Sequence, residues 1–245
     1  MFEVDDIIRV GRELGMRRLS MNAVAAELGV SSTALYRAVD GRWGLERLVG
    51  ESLLGDLKLH DDPDHDIEQH LLSFGLQMWH FIVRHPGLAA GKQDLHVHTE
   101  AGVPDDEMPH LQAEGVYMQI LFPRGEAGRL LMAHQIEALS KRGYSPDVAI
   151  ALSSVIAGVS INYAVAEDSQ REHADELDAQ RQEVTAQLKT DEDLAEAHRN
   201  LPSVEHTQFV RLVLAAMVRG VVSVAPPGRP LDQVMAELAA MGMGI

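Results

Sequence analysis

Leu19–Val39 (LSMNAVAAELGVSSTALYRAV) constrains the fold more than any other stretch of the chain. Met21, Val24, Ala25 and Leu28 recur at i, i+3, i+4 and i+7, which is one face of a helix. Ser20 stands just before that face as an N-cap. Gly29 stands just after it, where a positive φ can end a helix. Ser31 or Ser32 can cap a second helix that carries Leu35, Tyr36 and Val39. Two short capped helices joined by a glycine-containing turn have helix-turn-helix spacing. In that unit the first helix crosses a DNA backbone and the second enters the major groove, its N-terminal residues at base edges. Ser31, Ser32 and Thr33 supply small hydrogen-bonding groups there, while Leu35 and Val39 supply packing.

Net charge taken alone argues the other way. The 245 residues carry a formal charge of −16, which disfavours nucleic acid. Its distribution resolves the conflict. Residues 1–59 hold eight basic and nine acidic residues, and the rest hold 13 and 28. All 12 histidines lie at or after His60. A near-neutral, Arg-bearing segment followed by an acidic body implies two modules with different partners, divided at 1–59 and 60–245.

The remainder reads as helix, and no segment has strand period. Trp43–Leu59 forms a long helix, and His60–Asp66 (HDDPDHD) is a polar break. Ile67–His85 is amphipathic and closes at Pro86-Gly87. Gly91–Pro109 reads as a loop, followed by helices over Leu111–Phe122 and Glu126–Arg142. Ser145-Pro146-Asp147 starts another, since proline suits a first helical position. Ser169–Arg199 is polar, either a solvated helix or a disordered insert. Val204–Ala225 is a long apolar helix, and Leu231–Met241 a short last one. Val148–Ala166 is uncharged and long enough to raise a membrane span. Its serines, Asn162 and acidic flanks favour a buried helix, apolar on almost all sides, that must be covered either by its own domain or by a second subunit. Cysteine is absent, which removes disulfides and thiolate chemistry and fits a reducing compartment. The acid-bearing start (MFEVDDIIRV) is no signal peptide, so a cytoplasmic location without membrane attachment is expected.

The string Leu19-Ser20-Met21, Val24-Ala25, Leu28-Gly29-Val30-Ser31, Ala34-Leu35-Tyr36 and Val39, with a helix opening near Arg42, resembles the tetracycline-repressor (TetR) family of transcriptional regulators. The motif spans about a fifth of the chain. The resemblance implies an all-α fold: an N-terminal three-helix helix-turn-helix domain and a larger helical domain for ligand binding and dimerisation. It implies DNA contacts from Met21 and Asn22, from Ser31, Ser32, Thr33 and Ala34 at the recognition helix, and from Tyr36, Arg37 and Arg42. Tyr36 and Arg42 take the phosphate-facing places. It implies a homodimer through Val148–Ala166 and Val204–Ala225, a palindromic double-stranded operator, and a small-molecule effector that releases a repressor. The chain departs from the family at Tyr36-Arg37-Ala38-Val39, where a pattern near Tyr-x-His-Phe is usual, and at Ser20 and Asp40-Gly41, where basic residues are common. Arg9, Arg12, Arg17 and Arg18 are positioned to compensate. The departures motivate an alternative, a small-molecule or metal sensor with a degenerate motif and little DNA binding.

Effector contacts are expected from Phe74, Met78, Trp79 and Ile82, from Met118 and Phe122, from Met132, His134 and Gln135, and from Asn162. The apolar and Met-rich character of this set suits a bulky, largely apolar ligand. No cofactor or metal is expected. His96-x-His98-x-Glu100 has ligand-like spacing but lies in the loop. Asp62–Ser73 lacks the glycine and the closing glutamate of a calcium loop. Gly87–Lys92 is one residue short of a phosphate loop, and Gly158-Val159-Ser160 lacks the second glycine of a nucleophile elbow. No acid/base pair supports an enzyme.

Overall fold

The computed structural model describes residues 2–89, 125–188, 192–193, 195–196 and 205–240. These form ten α-helices and no strand. The first is α1 (Val4–Leu14), with Asp5 and Asp6 in its first turn, where carboxylates oppose the positive helix end. Gly15, at φ +73°, ends it, and a 3₁₀ turn over Met16–Arg18 follows. Helix α2 (Met21–Glu27) starts at Ser20, whose hydroxyl accepts from Ala23 N–H at 3.1 Å. Helix α3 (Ser32–Tyr36) starts at Ser31, which accepts from Ala34 N–H at 3.2 Å. Gly29 between them lies at φ +66°. Ile7, Val24, Leu35, Leu45 and Val49 are fully buried among α1–α4.

Helix α4 (Gly41–Leu54) is shorter than the expected Trp43–Leu59. Gly55 unwinds its end, so that Asp56 and Leu57 bond three residues back, and Lys58 Nζ caps the Gly55 carbonyl at 2.7 Å. A polar segment leads to α5 (Ile67–Val83). Asp66 accepts from Gln69 N–H while the Gln69 carbonyl accepts from Asp66 N–H, a reciprocal cap. Helix α6 (Glu126–Ser140) precedes α7 (Pro146–Glu172), whose N-cap is Ser145. Helix α8 (Ala174–Leu188) has no buried residue from Ala174 through Val184, so the polar stretch after Ser169 is helical through Leu188 and solvated over that part. Helices α9 (His206–Val224) and α10 (Leu231–Leu238) follow. The expected loop at Gly91–Pro109 and helix at Leu111–Phe122 lie outside the described residues.

Helix α5 packs between α7 and α9, and α6 lies on α7. A small residue permits the closest approach. A Cβ at Gly75 would lie 2.9 Å from Ile156 and 3.3 Å from Ser160 on α7, and 3.2 Å from Leu214 on α9. Only one face of α7 is covered: Val148, Ala149, Leu152, Ser153, Ile156, Ala157, Ser160 and Ala164 are buried, while Ile150 and Val155 are exposed. On α9, Val210, Leu214 and Val218 are buried, and Phe209, Leu212 and Val224 are exposed. Among the described residues, the chain alone does not cover α7 all round, which leaves the second-subunit alternative.

Gly75→Val places branched carbons where three side chains already meet. Such overpacking destabilises by about 1–3 kcal/mol, to be read as a lowered urea midpoint at fixed protein concentration.

Candidate functional site

The helix-turn-helix presents a polar edge. Asn22, Ser31, Thr33, Tyr36 and Arg37 are exposed, and Tyr36 is 57% accessible although its neighbour Leu35 is fully buried. Ser32 and Ala34 are half-buried. Ser32 Oγ–H donates to Asn22 Oδ1 at 2.8 Å, fixing the start of α3 against α2. Met21 departs from its expected role. It is 6% exposed and packs in the core, so it positions α2 and has no free surface for DNA. Arg42 Nε donates to Glu46 Oε1 at 2.7 Å, so its charge is already opposed by a largely buried carboxylate.

Trp43, 54% exposed, and Arg47 lie one turn apart on α4 beside this edge. The sequence reading missed both. Their signal was available, since Leu45, Val49 and Leu53 set the buried register of α4 and leave 43 and 47 outside it. Arg37 and Arg47 have no ion pair among the described residues. The four arginines expected to compensate are engaged elsewhere. Arg9 lies between Asp6 and Glu13, at 3.6 and 3.4 Å. Arg12 donates to the Ser52 carbonyl and hydroxyl and pairs with Asp56. Arg17 pairs with Asp168, and Arg18 donates to the Leu14 carbonyl.

The candidate effector residues separate by position. Phe74, Met78, Trp79 and Ile82 on α5, and Met132 and Gln135 on α6, are all buried. Asn162 is exposed on the uncovered side of α7, which removes it from the interior. Met118 and Phe122 lie outside the described residues. His134 instead lines an open surface pocket of about 420 Å³ with Asp61, Pro63, His65, Glu137, Ala138, Lys141 and Arg142.

A polar chain runs inward from that pocket. Arg142 donates to Asp61 Oδ1 at 2.8 Å and to the carbonyls of Asp62, His65 and Ala138. His70 Nδ1–H donates to the same Asp61 oxygen at 3.0 Å, and its Nε2 faces Gln135 Oε1 at 3.2 Å. Ser153 Oγ lies 3.5 Å from that amide oxygen. Burial alone raises the Asp61 pKa, but Arg142 and His70 outweigh it and hold the carboxyl below its ordinary range. Burial lowers the His70 pKa, aided by the Arg142 charge and opposed by its bonds to Gln135 and Asp61. Gln135 Nε2, Trp79 Nε1 and Tyr144 Oη are buried without a hydrogen-bond partner among the described residues. Burial pushes the Tyr144 hydroxyl up to about 12. Among the described residues no cluster of histidine and carboxylate side chains could hold a metal ion. His96, His98 and Glu100 lie outside them.

No family model matches the sequence, and no curated protein matches it. Solved structures do. ActR of Streptomyces coelicolor in complex with actinorhodin has a TM-score of 0.67 at 16% identity, over 93% of this chain and 99% of that one. The fold is that of the TetR-family regulators. SCO7222, a TetR from Streptomyces coelicolor, has a TM-score of 0.59 at 14% identity, over 92% of this chain and 100% of that one. A TetR variant from Acinetobacter baumannii AYE in complex with minocycline has a TM-score of 0.58 at 14% identity, over 93% and 95%.

Two junctions join the helix-turn-helix to the rest of this TetR fold. Asp168 on α7 takes the Arg17 guanidinium on one oxygen and Gly87 N–H on the other, at 2.8 Å. Gly87 lies at φ +81°, and a Cβ there would meet Arg17 N at 2.8 Å. On α4, Glu51 accepts from Ala127 N–H at 2.6 Å, in the first turn of α6. A carboxylate at the positive end of a helix is favourably placed.

Arg142→Met leaves Asp61 half-buried beside His70 without its cation. Removing one partner of a fully buried pair costs about 3–5 kcal/mol, and a smaller loss is expected for this pair beside an open pocket, measured by urea unfolding near neutral pH. The folded pKa of Asp61 is depressed, so its pairing contributes above the ordinary carboxylate range and is lost as pH falls through the lowered value. The difference between variant and wild type therefore shrinks on acidification below about pH 4.

Proposed function

We propose that this protein is a ligand-responsive transcriptional regulator, most simply a repressor, acting in the cytoplasm and without catalysis. Residues 1–59 form its DNA-binding domain, and residues 60–245 its effector-binding and dimerisation domain. The observation that carries this reading is the capped helix-turn-helix with its outer edge polar and Tyr36 exposed, set in a TetR fold that covers more than 90% of the chain. Thr33 and Ala34 meet base edges. Asn22 and Ser32 hold α2 and α3 in register. Tyr36, Arg37, Trp43 and Arg47 face phosphates, where hydroxyl, guanidinium and indole N–H groups can all donate. Arg42 contributes once Glu46 yields it.

A homodimer buries what one chain leaves bare. The exposed apolar residues of α7 and α9 form the four-helix contact with a second copy, and two symmetric recognition helices then demand a palindromic operator. The effector enters the α5–α6–α7 interior and is bulky and largely apolar. ActR is seen with actinorhodin and the TetR variant with minocycline, which supports a small-molecule site in this fold. Its binding shifts the dimer away from the DNA-competent arrangement.

A second reading is favoured by the arginines. Arg9, Arg12, Arg17, Arg18 and Arg42 are all held by carboxylates or carbonyls, which leaves little free positive charge for a duplex. On that reading the protein is a sensor with little DNA binding. Selection from random duplexes separates the two. An enriched inverted repeat with a steep salt dependence supports the regulator, and no enrichment by a folded dimer at low salt supports the sensor.

On the selected operator, Arg37→Ala removes one phosphate contact and reduces the salt slope by about 1. Tyr36→Phe weakens binding uniformly across sequences. Both are read by fluorescence anisotropy over a salt series. Leu212→Asp puts a charge into the dimer seam, and sedimentation equilibrium is expected to show a folded monomer that no longer retains the full palindrome.

A further inference from the structure

We propose that Gln135 is the polar anchor of the interior effector site, that near neutral pH it turns its carbonyl toward that site, and that the ligand group it takes is a hydroxyl. This rests on the reading that the body binds a small molecule. The argument begins at Asp61. Its carboxylate is held by Arg142 and has no proton to give, so His70 Nδ1 must be the donor in their 3.0 Å contact. His70 Nε2 then has two possible states. Protonated, it donates to a Gln135 carbonyl 3.2 Å away and leaves the amide NH₂ without a partner. Bare, it carries a lone pair and cannot face an oxygen, so the amide must turn over and donate to it.

The surroundings select the bare state. His70 is 2% exposed, and the Arg142 guanidinium opposes a second positive charge beside it. The Gln135 carbonyl, in its present orientation, and Asp61 favour the imidazolium, and burial with the Arg142 charge outweighs them. Among the described residues, α7 contributes only the Ser153 hydroxyl to the chain, α6 places His134, Glu137 and Lys141 along the surface pocket, and on α9 Arg219 is paired with Glu68 at 3.4 Å. With the ring neutral, the turned NH₂ uses both hydrogens, one toward His70 Nε2 and one toward Ser153 Oγ. The carbonyl then occupies the place of the unpartnered group, in a side chain that is 1% exposed.

A buried carbonyl with no donor calls for one from outside the protein. Phe74 lies one turn beyond His70, Met132 one turn before Gln135, and Ala157 one turn beyond Ser153, and all three are buried. A molecule that reached this carbonyl would meet apolar neighbours, so the ligand inferred is a largely apolar one bearing a hydroxyl. Protonation of His70 reverses the amide and offers NH₂ to that hydroxyl, so the donor preference is lost as pH falls through the His70 titration.

The test uses the full-length protein. Nitrogen NMR of labelled histidine is expected to show His70 with Nδ1 protonated and Nε2 bare near neutral pH, and a protonated Nε2 overturns the proposal. Fluorine NMR titrations then compare 4-fluorophenol with 4-fluoroanisole, which share a ring and differ in the O–H. Wild type is expected to bind the phenol at least ~tenfold more tightly, a discrimination typical of a site built around a hydrogen bond. The preference should shrink at acidic pH and vanish in Gln135→Met, and the wild-type comparison stands even if that variant fails to fold. Equal binding of both probes refutes the hydroxyl assignment and leaves the effector site intact. Binding of neither, with His70 in the expected state, refutes the interior site and the reading beneath it.

Discussion

Helix α7 is the element on which the rest depends, because it is apolar on more sides than one chain covers. Over 27 residues it buries a continuous stripe from Val148 to Ala164 against α5, α6 and α9. A helix with apolar groups on a second face remains unfavourably hydrated until something covers it. Each proposed function uses a different face or level of this helix. Ser153 reaches the polar chain of the interior, Ile150 and Val155 face outward toward the proposed second copy, and Asp168 holds the helix-turn-helix. A displacement of α7 would therefore be felt at all three places.

Local signals made the N-terminal half legible. Ser20, Gly29 and Ser31 each act on their own neighbours, so caps and turn could be read without tertiary knowledge, and the structure has them as read. The long helices were equally plain in their period. Their ends were less so: α4 stops at Leu54 because Gly55 permits tighter turns, while the apolar pattern runs on to Leu59. Side-chain direction was harder still. Met21 is a favourable contact residue by position but an anchor by burial, and Asn162 looked interior only because its neighbours are apolar. The ion pairs of Arg12 and Arg17 join residues 44 and 151 positions apart, and no local pattern reveals such partners.

The polar chain from Arg142 to Ser153 illustrates the same limit. Gln135 was singled out for its chemistry beside Met132, yet His70 was not, since a single histidine in an amphipathic helix has no distinctive spacing. Only the fold places His70 between Asp61 and Gln135. Such a network is costly when incomplete and specific when complete. Within it, Asp61 Oδ1 is contacted by both Arg142 and His70, and at the interior end Gln135 Nε2 has no partner among the described residues.

The two junctions suggest how an interior event could reach the DNA face. Allosteric coupling of this kind typically amounts to about 1–3 kcal/mol. The Glu51 contact touches α6 at Ala127, two turns before Gln135 on the same helix, so any shift of α6 along its axis moves a hydrogen-bond donor under α4. The Asp168 contact is different. It holds a 3₁₀ turn and the Gly87 turn at once, and Gly87 has no room for a side chain against Arg17. One junction is held from two sides by Asp168, and at the other α4 packs on α6 around the Glu51 contact. A shift of α6 that moved the Ala127 N–H relative to Glu51 would therefore act on α4, and with it on Trp43, Arg47 and the helix-turn-helix.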